Sequence, residues 1–228
     1  MAFTLRDVVP WGRSYEEYVA FFGLGEAEPG ERILGCGDGP ASFNTERTAR
    51  GGRVVSLDPI YRFPAAAIAA RIDEAFEEVL AETERNRGEF VWRHVADAAE
   101  LARLRRAAME RFLADYRRGA GRYVAGALPA LPFRDGAFDL ALCSHFLFLY
   151  SERFSADFHV RAIAELARVA REARIFPLLE LGARPSRHLE SVLARLRGAG
   201  LECAVERVGY EFQRGGNRML RVRRAAPG

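Results

Sequence analysis

Three glycines alternate across "GCGDG", at Gly35, Gly37 and Gly39, straight after the apolar pair Ile33–Leu34. Such a run reads as a buried strand feeding a turn where backbone, not side chain, meets a ligand closely. A helix start near Ala41 would add free amides and the positive end of a dipole. A carboxylate, Asp58, closes the next apolar stretch, "VVSLDP", where it is placed to accept the two hydroxyls of a ribose. Glycine loop and strand-end acid together point to an adenosine-type ligand. The dinucleotide fingerprint G-x-G-x-x-G fails, because its third glycine falls on Pro40 or on Ser42. NAD is therefore disfavoured.

These residues need elements to hold them. "SYEEYVAFFGL" has helical spacing with Ser14 as N-cap. After the turn "GEAEPGE" come a strand at Arg32–Leu34, the glycine loop, and a short helix closed by Gly51 and Gly52. "RVVSLDP" is a second strand. From Phe63 to Gly121 the pattern is almost wholly helical, more than one crossover helix requires, and reads as an insertion or cap within a single 1–228 domain. "GRYVAGA" resumes a strand, and "FDLALCSHFLFL" reads as a long buried one carrying an aromatic stripe at Phe146, Phe148 and Tyr150. "SADFHVRAIAELARVARE", "ARIFPLL" and "SRHLESVLARLRGAG" follow as helix, strand and helix. "LECAVERVGYEF" and "NRMLRVRR" close the chain as antiparallel strands around "QRGGN". The alternation calls for a Rossmann-like, doubly wound α/β fold with a mostly parallel sheet covered on both faces.

Bulk properties bound the chemistry. The chain has 228 residues, 49% apolar and 29% charged, with net charge +3. All 34 basic residues are Arg, which excludes a lysine Schiff base and a Walker lysine. The Arg residues are interleaved with Glu and Ala and read mostly as solvated faces. So small a net charge, with few aromatics among the Arg, argues against nucleic acid. Cys36, Cys143 and Cys203 lack metal-ligand spacing, and their odd number fits a reducing, cytoplasmic setting. No metal site is expected. No signal-peptide core or membrane-spanning run is present.

The spacing around the glycines resembles the first motif of the class I S-adenosylmethionine-dependent methyltransferases, an acidic residue followed by alternating glycines. On that pattern Gly37 and Gly39 match the glycines, Ala41 takes the last small position, and Gly35 stands where the acid is usual. "VVSLDP" is similar to the second motif. Leu131–Pro132–Phe133 and Phe138–Asp139–Leu140 match the family's turn and fourth strand. The resemblance covers about Glu31–Ser56 and Arg122–Arg223 and implies a seven-stranded sheet with a final antiparallel pair. The 63–121 insertion has no counterpart in it.

The resemblance implies a cofactor site for S-adenosyl-L-methionine, and its product S-adenosyl-L-homocysteine, at Gly35, Cys36, Gly37, Asp38, Gly39, Pro40, Asp58 and Pro59. The glycine-loop amides would face the amino-acid end, with Asp38 as a shifted partner for the ammonium. Ala127 replaces an acid that often binds adenine, leaving the backbone of Ala127 and Leu128 to meet it. Ser144 would face the methionine portion, and Arg13 either clamps the carboxylate or is an ordinary exposed Arg. His145, just after the fourth strand, is the candidate base, against a histidine merely satisfied by backbone. Tyr150 either caps the site or anchors the following helix. His94, His159 and His188 carry no site. The implied activity is methyl transfer to a small or medium-sized acceptor. The competing readings are a non-catalytic binding module with a degenerate pocket and, on Arg content alone, RNA methylation. The insertion is also suited to a homodimer surface.

Overall fold

The computed structural model describes residues 9–26, 30–119 and 121–224. Expectations placed on the first eight residues, and on part of the turn before the first strand, lie outside them. The first helix, α1 (Tyr15–Phe22), starts at Ser14. The Ser14 hydroxyl accepts from the Glu17 amide, and the Glu17 carboxylate accepts from the Ser14 amide, forming a capping box. Then follow β1 (Arg32–Cys36), α2 (Phe43–Ala49) and β2 (Arg53–Leu57). The connection from β2 to the short β3 (Tyr123–Val124) holds α3 (Ala65–Arg85) and α4 (Ala98–Tyr116). The rest is β4 (Phe138–Ser144), α5 (Ala156–Val169), β5 (Ala170–Phe176), β6 (Leu179–Glu180), β7 (Arg184–Pro185), α6 (Leu189–Gly198), β8 (Leu201–Arg207) and β9 (Arg218–Arg224).

Seven strands form one sheet in the order β3-β2-β1-β4-β5-β9-β8, parallel except for β9, which is antiparallel to both neighbours. The central strands read as continuous apolar runs because both faces are covered. Phe21, Phe22 and Phe43 of α1 and α2 pack on Ile33, Val54 and Leu142 on one side. Ile163, Leu166, Val192 and Leu196 of α5 and α6 pack on Leu34, Ala141 and Cys143 on the other. Between β2 and β3, α3 leans on α4 through Ile68, Ile72, Phe76, Met109 and Phe112.

Strand order reverses between β1 and β4, and beyond their carboxyl ends a ligand crevice is expected. There the long fourth strand of the sequence reading is cut short. It ends at Ser144, because His145 takes a left-handed φ of 52° and its amide donates to the Phe176 carbonyl at 2.6 Å. Phe148–Tyr150 is a 3-10 turn, so the aromatic stripe is not a strand face, although Phe148 and Tyr150 are buried. The β6–β7 pair, a separate two-stranded ribbon, was not legible as a hairpin.

Candidate functional site

The loop after β1 is shaped by its glycines. Gly37 and Gly39 have φ of 70° and 53°, a region that costs ordinary residues strain. Gly35 is bare for another reason. A Cβ there would lie 1.9 Å from Oδ2 of Asp38, so the Asp38 carboxylate occupies the space a side chain at position 35 would fill. Asp38 is thereby buried at the strand end, where its Oδ1 accepts from the Tyr18 hydroxyl at 2.8 Å and its Oδ2 from the Ser56 hydroxyl at 2.6 Å. Burial pushes its carboxyl up to about 6, against the pull of those two hydrogen bonds.

The expectation of a bare amide cradle is corrected here. The Gly37 amide donates to the Leu57 carbonyl at 2.8 Å and the Gly39 amide to Oδ2 of Asp58 at 2.9 Å. Helix α2 begins at Phe43 rather than near Ala41, and the Ala41 and Ser42 amides donate to the Asp38 and Arg13 carbonyls. These amides shape the loop for its own turns instead of reaching outward.

Asp58 caps the turn Pro59–Arg62, its Oδ1 accepting from the Ile60 amide at 2.9 Å, and burial raises its carboxyl above the usual range. Tyr61 of that turn donates to the Gly39 carbonyl at 2.6 Å, tying the two strand-end loops together. Both carboxylates border a cavity of about 940 Å³. Cys36, Gly37, Gly39, Pro40, Pro59, Ala127, Leu128, Ser144, His145, Tyr150 and Arg13 border the same cavity, whereas Gly35 is shut off behind Asp38. That volume lies near the top of the ~300–1,000 Å³ range of small-molecule sites.

Arg13 is not an exposed arginine. Residues 10–13 cross the glycine loop so closely that a Cβ on Gly12 would meet the Pro40 carbonyl. The Arg13 side chain, 14% exposed, lines the cavity, and its Nε has no partner. Its nearest carboxylate, Glu17 at 3.8 Å, is already gripped through both oxygens by the buried Arg105 and accepts from the Tyr210 hydroxyl at 3.1 Å. Burial, and then Arg105, lower Arg13 to about 10. Glu17 is opposed by burial, yet Arg105 and Arg13 hold it at about 2. Two guanidinium groups thus share one carboxylate beside the cavity. Arg105 and Arg47, both fully buried, also depart from the reading of Arg as solvated faces.

His145 packs against Phe21 and Phe176, with ring centroids at 4.9 and 5.4 Å, and its Nδ1 lies 2.8 Å from the Ser144 hydroxyl. Burial, and after it Arg13 and Arg105, push it well below the ordinary histidine range, so it is neutral at physiological pH. Burial raises the Tyr150 phenol.

Sequence reasoning missed Glu17, Tyr18, Ser56, Tyr61, Arg105 and Tyr210. One signal was available: Arg105 stands four residues after Leu101 and four before Met109, on the apolar face of α4. It also missed the far wall, where Phe90 and Phe212 stack with centroids 4.9 Å apart. The Val91 amide donates to the Phe212 carbonyl at 2.7 Å, and the Arg214 amide to the Glu89 carbonyl at 2.8 Å. This seam brings Gln213 of the "QRGGN" turn to the cavity edge. Among the described residues, no His, Cys, Asp and Glu cluster is fit for a metal, and no helix is long and apolar enough to cross a membrane.

Residues 95–176 match the family model of a methyltransferase domain. The chain is 32% identical over 225 residues to the uncharacterized protein MJ0045 of Methanocaldococcus jannaschii, covering 96% of this chain and 98% of that one. Among solved structures it is similar to the magnesium protoporphyrin IX methyltransferase of Synechocystis PCC 6803 with bound SAM. That likeness has 15% identity and a TM-score of 0.46, over 92% of this chain and 78% of that one. The PH0226 protein of Pyrococcus horikoshii OT3 is similar at 10% identity and a TM-score of 0.47, over 92% and 87%.

Proposed function

We propose that the chain, whose residues 95–176 match a methyltransferase-domain model, is a class I S-adenosylmethionine-dependent methyltransferase whose cavity binds the cofactor at the β1/β4 end and a small or medium-sized methyl acceptor beyond it. The donor set suits each part of the cofactor. Asp58, at the tip of β2, takes the ribose hydroxyls, and the backbone of Ala127 and Leu128 meets the adenine edge. Asp38 takes the ammonium; its carboxyl, pushed up to about 6 by burial, gains from a cation beside it. Arg13 takes the carboxylate, for which it has fork geometry and charge to spare. Bound S-adenosylmethionine supplies an electrophilic methyl group on a sulfonium.

The chain's own part is positioning and exclusion of water, the main needs of an in-line displacement. Ser144 and His145 sit at the end of β4 where the two ligands meet, with the imidazole held neutral by its neighbours. Tyr150 closes that end as a protonated phenol. The observation that carries this reading is the placement of Asp38 in the space left by Gly35. It restores a carboxylate to the strand end and speaks against a degenerate pocket.

The test is calorimetric titration with S-adenosylhomocysteine. Saturable binding is expected, weakened at least a hundredfold by Asp58→Ala. Absence of binding at millimolar ligand would return the fold to the role of a non-catalytic module.

A further inference from the structure

Beyond the cofactor end, the cavity is walled by Val79, Thr83, Phe90, Leu101, Phe212 and Gln213, from α3, the segment after it, α4 and the β8–β9 loop. Four of these side chains are apolar, so the body of an acceptor that fills this space is largely apolar too. Thr83 and Gln213 are the polar exceptions. The Thr83 hydroxyl donates to the Val79 carbonyl at 2.8 Å, within its own helix. Gln213 has no such outlet.

Among the described residues, the buried side-chain atoms without a hydrogen-bond partner are Nε of Arg13, Arg47 and Arg105, Nε2 of His159 and Oε1 of Gln213. Of these residues, only Arg13 and Gln213 border the cavity. Arg13 is matched by the cofactor's carboxylate. Gln213 is left with a hydrogen-bond acceptor that no part of the cofactor scheme uses.

The backbone that delivers this amide is held from both sides. Gln213 bridges to Phe90 across the seam, and its carbonyl accepts from the Gly216 amide at 2.7 Å. Gly216 is bare because the turn closes tightly there: a Cβ on it would lie 2.9 Å from that same carbonyl. The side chain therefore leaves a fixed stem and ends in an oxygen that neither the protein nor solvent satisfies. Such an oxygen costs free energy until a donor reaches it. In the wall of a ligand cavity, the donor arrives with the ligand.

We infer that Gln213 selects the methyl acceptor. Through Oε1 it takes a hydrogen bond from an N–H or O–H carried on the acceptor's apolar body, apart from the atom that receives the methyl group. The inference rests on the methyltransferase reading above. Transfer takes place at the end of β4, beside Ser144 and His145, so no bond is made or broken at Gln213; its part is to orient the acceptor. An analogue without the donor is rejected, because the amide oxygen then stays buried and unpaired.

The experiment has three parts. Titration with S-adenosylhomocysteine comes first, and failure there overturns the methyltransferase reading itself. The loaded protein is then titrated with matched pairs that differ in one donor: indole and benzofuran, carbazole and dibenzofuran, 2-naphthol and 2-fluoronaphthalene. At least one N–H or O–H probe is expected to bind tenfold or more tightly than its twin. Gln213→Met is expected to erase that preference and to leave the affinity for S-adenosylhomocysteine unchanged. A crystal structure of the wild-type complex with the preferred probe gives a readout independent of the variant: the probe's donor is expected on Oε1 of Gln213. Probes that bind no better than their twins, whether weakly or not at all, overturn the inference while the methyltransferase reading stands. A preference that survives Gln213→Met, or a donor paired elsewhere in the crystal, does the same.

Discussion

Asp38 is kept ionised at a cost. Its folded pKa, about 6, lies above the unfolded aspartate value, so its favourable contribution to stability is complete below about pH 4 and is lost as pH rises through 6. Asp38→Asn should therefore gain on wild type by roughly 2–3 kcal/mol in ligand-free denaturation between pH 4 and pH 7.5. The same variant should bind S-adenosylhomocysteine far more weakly at pH 7.5. In wild type that affinity should fall toward tenfold per pH unit below about 6, since a protonated Asp38 cannot pair with an ammonium. Arg13 is separable by choice of ligand. Arg13→Gln should weaken S-adenosylhomocysteine tenfold or more and leave 5′-methylthioadenosine, which lacks the amino-acid end, unchanged. Equal losses for both ligands would deny Arg13 its carboxylate.

At the scale of elements, α1 and α4 are joined by the Glu17–Arg105 pair, and Glu17 also closes the α1 capping box. Glu17→Gln leaves two buried guanidinium groups without an anion. It should cost about 3–5 kcal/mol in chemical denaturation, partly recovered by adding Arg105→Met. Gly35→Ala places a methyl on the Asp38 carboxylate and should abolish S-adenosylhomocysteine binding. Gly39→Ala meets nothing within 4 Å and bears only its φ, at about 1–2 kcal/mol. The sequence made the glycine loop, Asp58 and the αβ alternation legible, because each is written in neighbouring residues. The cluster of Arg13, Glu17, Arg105 and Tyr210 is not local, since its members come from the segment before α1, α1 itself, α4 and the last loop. The exchange of Gly35 for Asp38 was half visible: the missing acid and the nearby Asp could be read, but not that one fills the other's space. The fourth strand was read too long because an apolar run through Leu149 gives no warning of a left-handed His145.

For the whole molecule, a ligand that recognises only the folded cavity raises stability by mass action. S-adenosylhomocysteine at a hundred times its Kd should add about 2.7 kcal/mol to unfolding, and an acceptor filling the far half of the cavity should add to that. The enclosing surfaces come from the start of the chain at Val9–Arg13, its middle at Phe90 and its end at Phe212. The seam at Val91–Phe212 and Arg214–Glu89 bridges stretches more than half the chain apart. An occupant lodged beneath it would act as a rivet through three layers. Deuterium uptake at the Val91 and Arg214 amides should then slow when an acceptor enters, even though neither amide touches the nucleoside. Loading the interior would in this way be felt as a tightening of the rim.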